Sequence, residues 1–199
     1  LHGKRAGDIV KGMLQHSRSS SAIKEPTDIN KLADEYLRLA YHGFRAKDKP
    51  LPDGQVGING IPVKIRVETN FDSSLPGIHV VPQDIGRVIL NLINNAFYAV
   101  SQRRAELAQT RPEYEPTVTV STKKAGDKVL ISVKDNGSGI PDTIKDKIFQ
   151  PFFTTKPAGH GTGLGLSLAY DIVKAHGGSL NIDTIVGEET EFTIQFHKT

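Results

Sequence analysis

The sequence predicts an α/β fold of the α+β type, in which helices pack on one face of a sheet. Two observations predict it. Residues 117–121, 129–133 and 190–196 alternate apolar and polar side chains, which is typical of strands with one buried face. Between and before them, long segments repeat apolar residues at three- and four-residue spacing, which is typical of helices that pack on such a face.

Composition limits the class of protein. The chain has 199 residues, 37% of them hydrophobic, so it can bury a core in about one domain. We find no apolar run of membrane-spanning length and no signal-peptide core, so we expect no membrane contact by this chain. The absence of cysteine suits a cytoplasmic protein. The 25 basic residues are spread among 22 acidic ones, so we expect no nucleic-acid partner.

The N-terminal residues predict a separate helix. Apolar residues at helical spacing within residues 1–20 form one amphipathic stripe, and serines followed by Pro26 indicate a linker. A single helix cannot bury its own stripe, so it needs a partner, and we favour a helix outside this chain. We therefore divide the chain into residues 1–24, which hold this helix, and residues 25–199, the main domain.

The next elements follow from periodicity and breakers. Thr27 or Asp28 can cap a helix that ends near Phe44, and the prolines and glycines of residues 47–60 indicate a loop. Val63, Ile65 and Val67 predict a strand, residues 78–81 predict a short one, and Pro82 begins a helix to about Ala108.

Two asparagines on that long helix are candidate ligands. Asn91 and Asn95 stack on one face, with Arg87 and Tyr98 one turn away on either side. Mg²⁺ prefers oxygen ligands, and one amide oxygen together with nucleotide phosphates would suffice. The alternative is that both amides are exposed or bonded to backbone.

Asp135 lies at the end of a predicted strand, in phase with Val129, Ile131 and Val133. A carboxylate on the buried face needs a hydrogen-bond donor, and the exocyclic amine of adenine could serve. Gly137 and Gly139 would let the backbone approach a flat ligand. The alternative is an ordinary strand-ending turn after a hairpin centred on residues 125–127.

A phenylalanine-rich segment and a second glycine loop follow. Phe149, Phe152 and Phe153 could anchor a mobile segment, or Phe149 and Phe152 could be ordinary core. Lys156 could reach a terminal phosphate, although an exposed lysine is the commoner case.

Gly161, Gly163 and Gly165 open a helix over residues 166–176, a place that attracts phosphate. The G-x-G-x-G spacing fits neither the dinucleotide nor the P-loop motif. His176 fits a structural role at the helix C-terminus. Thr190 is in phase with the buried face of the last strand and could join Asp135 at adenine.

In this order the motifs resemble the catalytic ATP-binding domain of sensor histidine kinases, in the GHKL superfamily with gyrase-type ATPases. The resemblance covers residues 27–199. Residues 91–96 resemble the N box, 135–139 the G1 box, 149–153 the F box and 161–165 the G2 box. It implies a two-layer sandwich, in which a mixed, mostly antiparallel sheet carries helices on one face, and a flexible ATP lid between Gly139 and Gly161.

The resemblance implies roles for individual residues. Asn95 would bind Mg²⁺, Asn91 would support the phosphates or the metal, Asp135 would bind the adenine amine and Lys156 would act at the terminal phosphate. The remaining residues implied at the nucleotide are Tyr98, Gly137, Gly139, Ile140, Gly161, Thr162, Gly163, Leu164, Gly165, Leu166 and Thr190.

Two departures bear on the reaction. ATPase relatives carry a water-activating glutamate where this chain has Asn91, which favours phosphoryl transfer to a protein over hydrolysis. Many related kinases carry a lysine where this chain has Tyr98.

The resemblance also implies partners. Residues 1–20 resemble the second helix of the dimerisation and phosphotransfer hairpin, but neither His2 nor His16 has the sequence context of a phosphoacceptor. We therefore expect a fragment that binds Mg·ATP without phosphorylating itself, from a protein that forms homodimers and serves a response regulator receiver domain. Two alternatives stay open. Phosphate release without an acceptor would indicate a GHKL-type ATPase, and ATP binding without acid-labile phosphate would indicate a nucleotide-gated interaction module.

Overall fold

A computed structural model describes residues 23–47, 63–157 and 161–198. The predicted N-terminal helix, most of the predicted 47–60 loop, and residues 158–160 of the predicted lid lie outside this part of the chain. The division at residues 24 and 25 therefore stays a prediction. In chain order the elements are β1 (Glu25–Thr27), α1 (Ile29–Lys47), β2 (Arg66–Phe71), β3 (Ile78–Val80), α2 (Pro82–Leu107), β4 (Thr117–Ala125), β5 (Lys128–Asp135), α3 (Asp142–Lys145), α4 (Gly165–Ala175), β6 (Ser179–Ile185) and β7 (Glu189–His197).

Five strands form one sheet in the order β2-β4-β5-β7-β6. The β2–β4 pair is parallel, and the three other pairs are antiparallel. Strands β1 and β3 form a separate antiparallel pair. The prediction of a mixed, mostly antiparallel sheet is confirmed.

One face of the sheet carries the helices. Inward residues of the central strands, such as Val120, Ile131 and Ile194, are buried with residues of α1, α2 and α4 in one apolar cluster. Their neighbours Ser121, Ser132 and Thr193 are only partly buried. This alternation is the pattern of a two-layer sandwich with one solvated sheet face.

Helix α2 is the central helix of the domain. It begins at Pro82, where the missing N–H costs nothing, and its buried residues include Ile89, Leu92 and Phe97. His176 links it to α4, because its Nε2 accepts a hydrogen bond from Val81 N at 3.1 Å. The other ring nitrogen lies 2.8 Å from Ile172 O, so the predicted structural role of His176 is confirmed.

The structure corrects four expectations. Pro26 does not lie in a linker but in β1, whose residues pair with β3. Thr27 therefore belongs to a strand, and Asp28 caps α1 by accepting Lys31 N at 3.1 Å.

The strand predicted from Val63 begins instead at Arg66, where pairing with β4 starts. Phe152 is not core, because 52% of its surface is exposed. Among the described residues, the helices include none with the length and apolar character to cross a membrane.

Candidate nucleotide-binding site

One face of α2 contacts both glycine loops. Asn91, Asn95, Ala99 and Arg103 recur at four-residue spacing and so form a single stripe along the helix. Asn91 contacts the second glycine loop (residues 161–165), and Asn95 contacts Lys156. Ala99 and Arg103 both contact the first glycine loop (residues 135–139). The stripe is about 18 Å long at 1.5 Å per residue.

Asp135 lies near Arg103 at one end of the stripe, where the sequence predicts adenine recognition. It is the last residue of β5, only 4% exposed, and pairs with Thr190 of β7 on one side and Val118 of β4 on the other. Its Oδ1 accepts a hydrogen bond from Gly137 N at 2.8 Å. Burial raises the pKa of Asp135 to about 7, opposed by the Gly137 hydrogen bond and the charge of Arg103 and assisted by the charge of Glu189.

The first glycine loop fits tightly against its neighbours. A Cβ on Gly137 would lie 2.6 Å from Asp135 Oδ1 and 2.8 Å from Ala99 Cβ. Gly139 has a φ of 69°, and a Cβ there would lie 2.8 Å from Val186 Cα. Both positions therefore require glycine for the loop to adopt this path.

A hydroxyl pair stands beside Asp135. Thr190 is 4% exposed, and its Oγ1 lies 3.2 Å from that of Thr184 on β6. Thr184 Oγ1 also accepts Ile140 N at 2.9 Å, which ties the end of the first glycine loop to the sheet. The sequence analysis missed Thr184, although its register opposite Thr190 across the turn at Gly187 is a signal that could have found it.

Arg103 and Tyr114 form a second feature that the sequence analysis missed. The Arg103 guanidinium donates to Gly137 O at 2.5 Å and lies 5.4 Å from the centre of the Tyr114 ring. Tyr114 OH donates toward Asn136, with its backbone O and side-chain Oδ1 both at 2.9 Å. The pair therefore holds the first glycine loop at Asn136 and Gly137.

The second glycine loop meets α2 at Asn91. Asn91 Nδ2 donates to Gly165 O at 3.2 Å. Gly163 has a φ of 69°, and a Cβ there would lie 2.6 Å from Phe152 O. Phe152 itself has a φ of 65°, so two left-handed residues bring the phenylalanine segment and the loop into close contact.

The other predicted residues have different surroundings. A Cβ on Gly161 would lie 2.7 Å from Thr154 Oγ1. Thr162 Oγ1 accepts Leu164 N at 3.4 Å, Leu164 is buried, and Leu166 packs against the core.

Asn95, Tyr98 and Lys156 meet at the other end of the stripe. Lys156 Nζ donates to Asn95 Oδ1 at 2.9 Å and lies 4.4 Å from the centre of the Tyr98 ring. The side-chain oxygen of Asn95 therefore already accepts a cation in this structure. An amide oxygen that accepts an ammonium ion fits the chemistry of a Mg²⁺ ligand.

The site can hold a metal only with help from its ligand. Within the described residues, no three His, Asp or Glu side chains cluster closely enough to hold a metal ion. A metal at Asn95 would therefore depend on phosphate oxygens for further coordination. The buried carboxylate at the opposite end can select an amine donor.

Comparisons with known proteins agree with this arrangement. Residues 80–199 match the family described as histidine kinase-, DNA gyrase B-, and HSP90-like ATPase. The chain is 35% identical over 193 residues to the sensor histidine kinase ZraS of Salmonella typhi, which covers 90% of this chain and 37% of ZraS. It is 31% identical over 184 residues to the sensory histidine kinase/phosphatase NtrB of Rhizobium leguminosarum bv. phaseoli, covering 90% of this chain and 43% of NtrB. The chain spans about a third of the length of the first curated relatives that it matches.

Solved structures show the same fold. The catalytic domain of histidine kinase ThkA superposes with a TM-score of 0.66 at 25% identity, over 88% of this chain and 96% of that domain. Full-length ShkA in complex with AMPPNP superposes with a TM-score of 0.72 at 21% identity, over 100% of this chain and 37% of ShkA. The chain therefore belongs to the family of histidine kinase-, DNA gyrase B- and HSP90-like ATPases, as the catalytic ATP-binding domain of a sensor histidine kinase.

Proposed function

We propose that this chain binds Mg·ATP along the α2 stripe and presents the γ-phosphate to a histidine on a separate helix. The observation that carries the proposal is the pairing of two ends on one helix face. Asp135 is buried beside two threonine hydroxyls at one end, and Asn95 accepts a cation at the other. The first end suits a base with an exocyclic amine, and the second suits a metal bound to phosphates.

We assign adenine recognition to the Asp135 end. Asp135 accepts the amine, Thr190 supports it with Thr184, and Gly137 and Gly139 let the loop pack closely against Ala99 and Val186 beside them. Ile140 belongs to this end, because its backbone N–H is held by Thr184.

We assign the phosphates to the other end. Asn95 Oδ1 would hold Mg²⁺, which supplies charge neutralisation on the phosphates when bound. Asn91 supports the phosphates indirectly by holding Gly165, and the glycine-rich start of α4 offers unpaired N–H groups at Gly165 and Leu166. Catalysis would then consist mainly of positioning, since the nucleophile belongs to the acceptor.

Transfer to a protein is favoured over hydrolysis by the chemistry at Asn91. Its amide cannot accept a proton from water, and its Nδ2 donates to Gly165 O. We therefore propose that a response regulator receives the phosphoryl group from the phosphohistidine and that the whole protein acts as a homodimer. The cytoplasmic location stays a prediction.

A calorimetric titration tests the nucleotide site. We expect this chain to bind ATP and ADP, with Asp135→Asn reducing affinity about 10- to 100-fold, because the amine loses a charged acceptor. The matched control is Asp183→Asn, an exposed carboxylate on β6, the edge strand beyond β7. Equal affinities for Asp135→Asn and the wild-type chain would contradict the adenine assignment.

Transfer is tested with γ-labelled ATP and a separately produced histidine-bearing hairpin from the same protein. We expect acid-labile label on the hairpin only when this chain and Mg²⁺ are present. Phosphate release without the hairpin would support the ATPase alternative. ATP binding that never yields label on the hairpin would support the interaction module.

A further inference from the structure

We propose that Lys156 is an internal cation that occupies Asn95 Oδ1 in the absence of metal, with Tyr98 as the residue that positions it, and that Mg·nucleotide must displace it. This inference rests on the proposed function of the site. It concerns how the metal position is regulated by the protein's own charge.

Asn95 and Tyr98 define the position of the Lys156 ammonium, which we call its seat. Lys156 Nζ lies 2.9 Å from Asn95 Oδ1 and 4.4 Å from the Tyr98 ring centre, so one side accepts a hydrogen bond and another presents a π-face. Tyr98 is fixed in turn by Gln102 Nε2, which donates to its hydroxyl at 2.7 Å. Asn95, Tyr98 and Gln102 all lie on α2.

The ammonium and a metal ion cannot share the seat. Mg²⁺ binds an oxygen ligand at about 2.0–2.1 Å, whereas the ammonium nitrogen lies 2.9 Å from the same oxygen. Two cations held on one carbonyl oxygen would repel each other strongly at that separation. Binding of the metal at Asn95 therefore requires Lys156 to move away.

Displacement of Lys156 would change its contacts with the second glycine loop. The backbone at Lys156 is held in place, because its N–H donates to Thr154 Oγ1 at 3.1 Å. A Cβ on Gly161 would lie 3.1 Å from Lys156 Cβ, so Lys156 also packs against the second glycine loop. The released ammonium is a candidate partner for the terminal phosphate. Lys156 thus links the metal position on α2 to the second glycine loop.

The first experiment measures how much Mg²⁺ strengthens ADP binding to this chain by calorimetry with and without the metal. ADP is chosen because it has no γ-phosphate for Lys156 to contact. In Lys156→Met we expect the Mg²⁺ enhancement to rise about three- to tenfold, since the metal no longer displaces an ammonium hydrogen bond. The matched control is Lys174→Met. Lys174 also lies over a tyrosine, with its Nζ 5.4 Å from the Tyr170 ring centre, but it does not contact Asn95.

An unchanged enhancement in Lys156→Met would overturn this proposal while leaving the nucleotide site intact. Failure of the wild-type chain to bind ADP at all would overturn the proposed function and this inference with it. The two failures are therefore distinguishable.

The second experiment follows the ammonium directly. The chain has no tryptophan, so Tyr98→Trp places a single reporter with a strong π-face in the seat. We expect its emission to change when Mg·ADP is added and the change to be lost in Tyr98→Trp combined with Lys156→Met. An equal change in the double variant would contradict displacement of Lys156.

Discussion

The two ends of the α2 stripe are built in different ways. Asp135 is fixed by backbone pairing to strands on both sides, and the glycines beside it fit without space to spare. Asn95 is held by side-chain contacts with Lys156, a residue 61 positions away. The sheet therefore fixes the proposed adenine end, whereas the proposed phosphate end depends on side-chain contacts.

Because of this difference, we expect ligands to change contacts at the Asn95 end and to leave the Asp135 end unchanged. Backbone pairing along β5 and β7 cannot be replaced by a small molecule, so the adenine end should keep its shape. A lysine on an amide oxygen can be replaced by a metal or can move to a phosphate. Substitutions at the two ends should accordingly affect different ligands.

The largest expected effect concerns the phosphate end. Asn95→Ala removes the proposed metal ligand, and we expect it to lower the Mg²⁺ enhancement of ATP binding at least about 100-fold, more than outer-shell changes usually cost. Metal-free ADP binding should stay within about twofold, because Asp135 is untouched. Calorimetry with Asn94→Ala, an exposed neighbour, provides the control. Equal loss of metal-free ADP binding would show that the two ends are not independent.

The second prediction compares two glycines of one loop. Gly163→Ala places a Cβ at φ 69° against the Phe152 backbone, so we expect the free energy of unfolding to fall by about 1–2 kcal/mol. A Cβ on Gly165 would lie 3.7 Å from its nearest neighbour, Asn91 Cγ, so Gly165→Ala should keep or raise stability by up to about 1 kcal/mol.

Urea unfolding of both variants checks the comparison. A similar loss in the two variants would mean that Gly163 is not held by the phenylalanine segment. Weaker ATP binding by a stable Gly165→Ala would indicate that the ligand itself needs the close approach.

The third prediction uses the pKa of Asp135, which burial raises from 3.8 to about 7. The ionised carboxylate is the stronger acceptor for the adenine amine, so affinity for adenosine should fall by up to about tenfold from pH 8 to pH 6. Adenosine has no phosphate to titrate, and NMR shift titrations can follow it. An affinity that is flat between pH 6 and pH 8 would contradict the assignment.

Stability of the unliganded chain should respond in the opposite direction. Because the folded pKa of Asp135 lies above the unfolded value, the folded state binds the extra proton between pH 3.8 and about 7. The contribution of this group to the free energy of unfolding is full below pH 3.8 and is lost as the pH rises through 7. Asp135→Asn should remove that pH dependence.

The strands were predictable where one face is buried and the other solvated. The alternation in β4, β5 and β7 predicted their positions and also placed Asp135 and Thr190 on the buried face. β1 was not predictable in the same way. It has three residues, one of them a proline, and its pairing with β3 defines it.

The candidate site was predictable as a set of residue types but not as a set of contacts. Four-residue spacing placed Asn91 and Asn95 on one face, and extending it would have reached Arg103. The contacts of Arg103 with Gly137 O and of Lys156 with Asn95 join residues distant in sequence. Periodicity predicts which residues share a face of a helix or strand, but it does not predict which distant residues contact that face.

The smallest expected effect concerns Arg103 and the pH dependence of adenosine binding at the Asp135 end. Arg103→Gln removes a positive charge that opposes the raised pKa of Asp135, so the pH midpoint of adenosine binding should move to higher pH. At pH 7 we expect a loss of affinity of about two- to threefold, since the charge is partly screened. Arg104→Gln is the control, because Arg104 holds the neighbouring loop through Pro112 O and Tyr114 O. If Arg103→Gln lowered affinity equally at every pH, Arg103 would act only by holding Gly137, and even the adenine end would depend on a side chain.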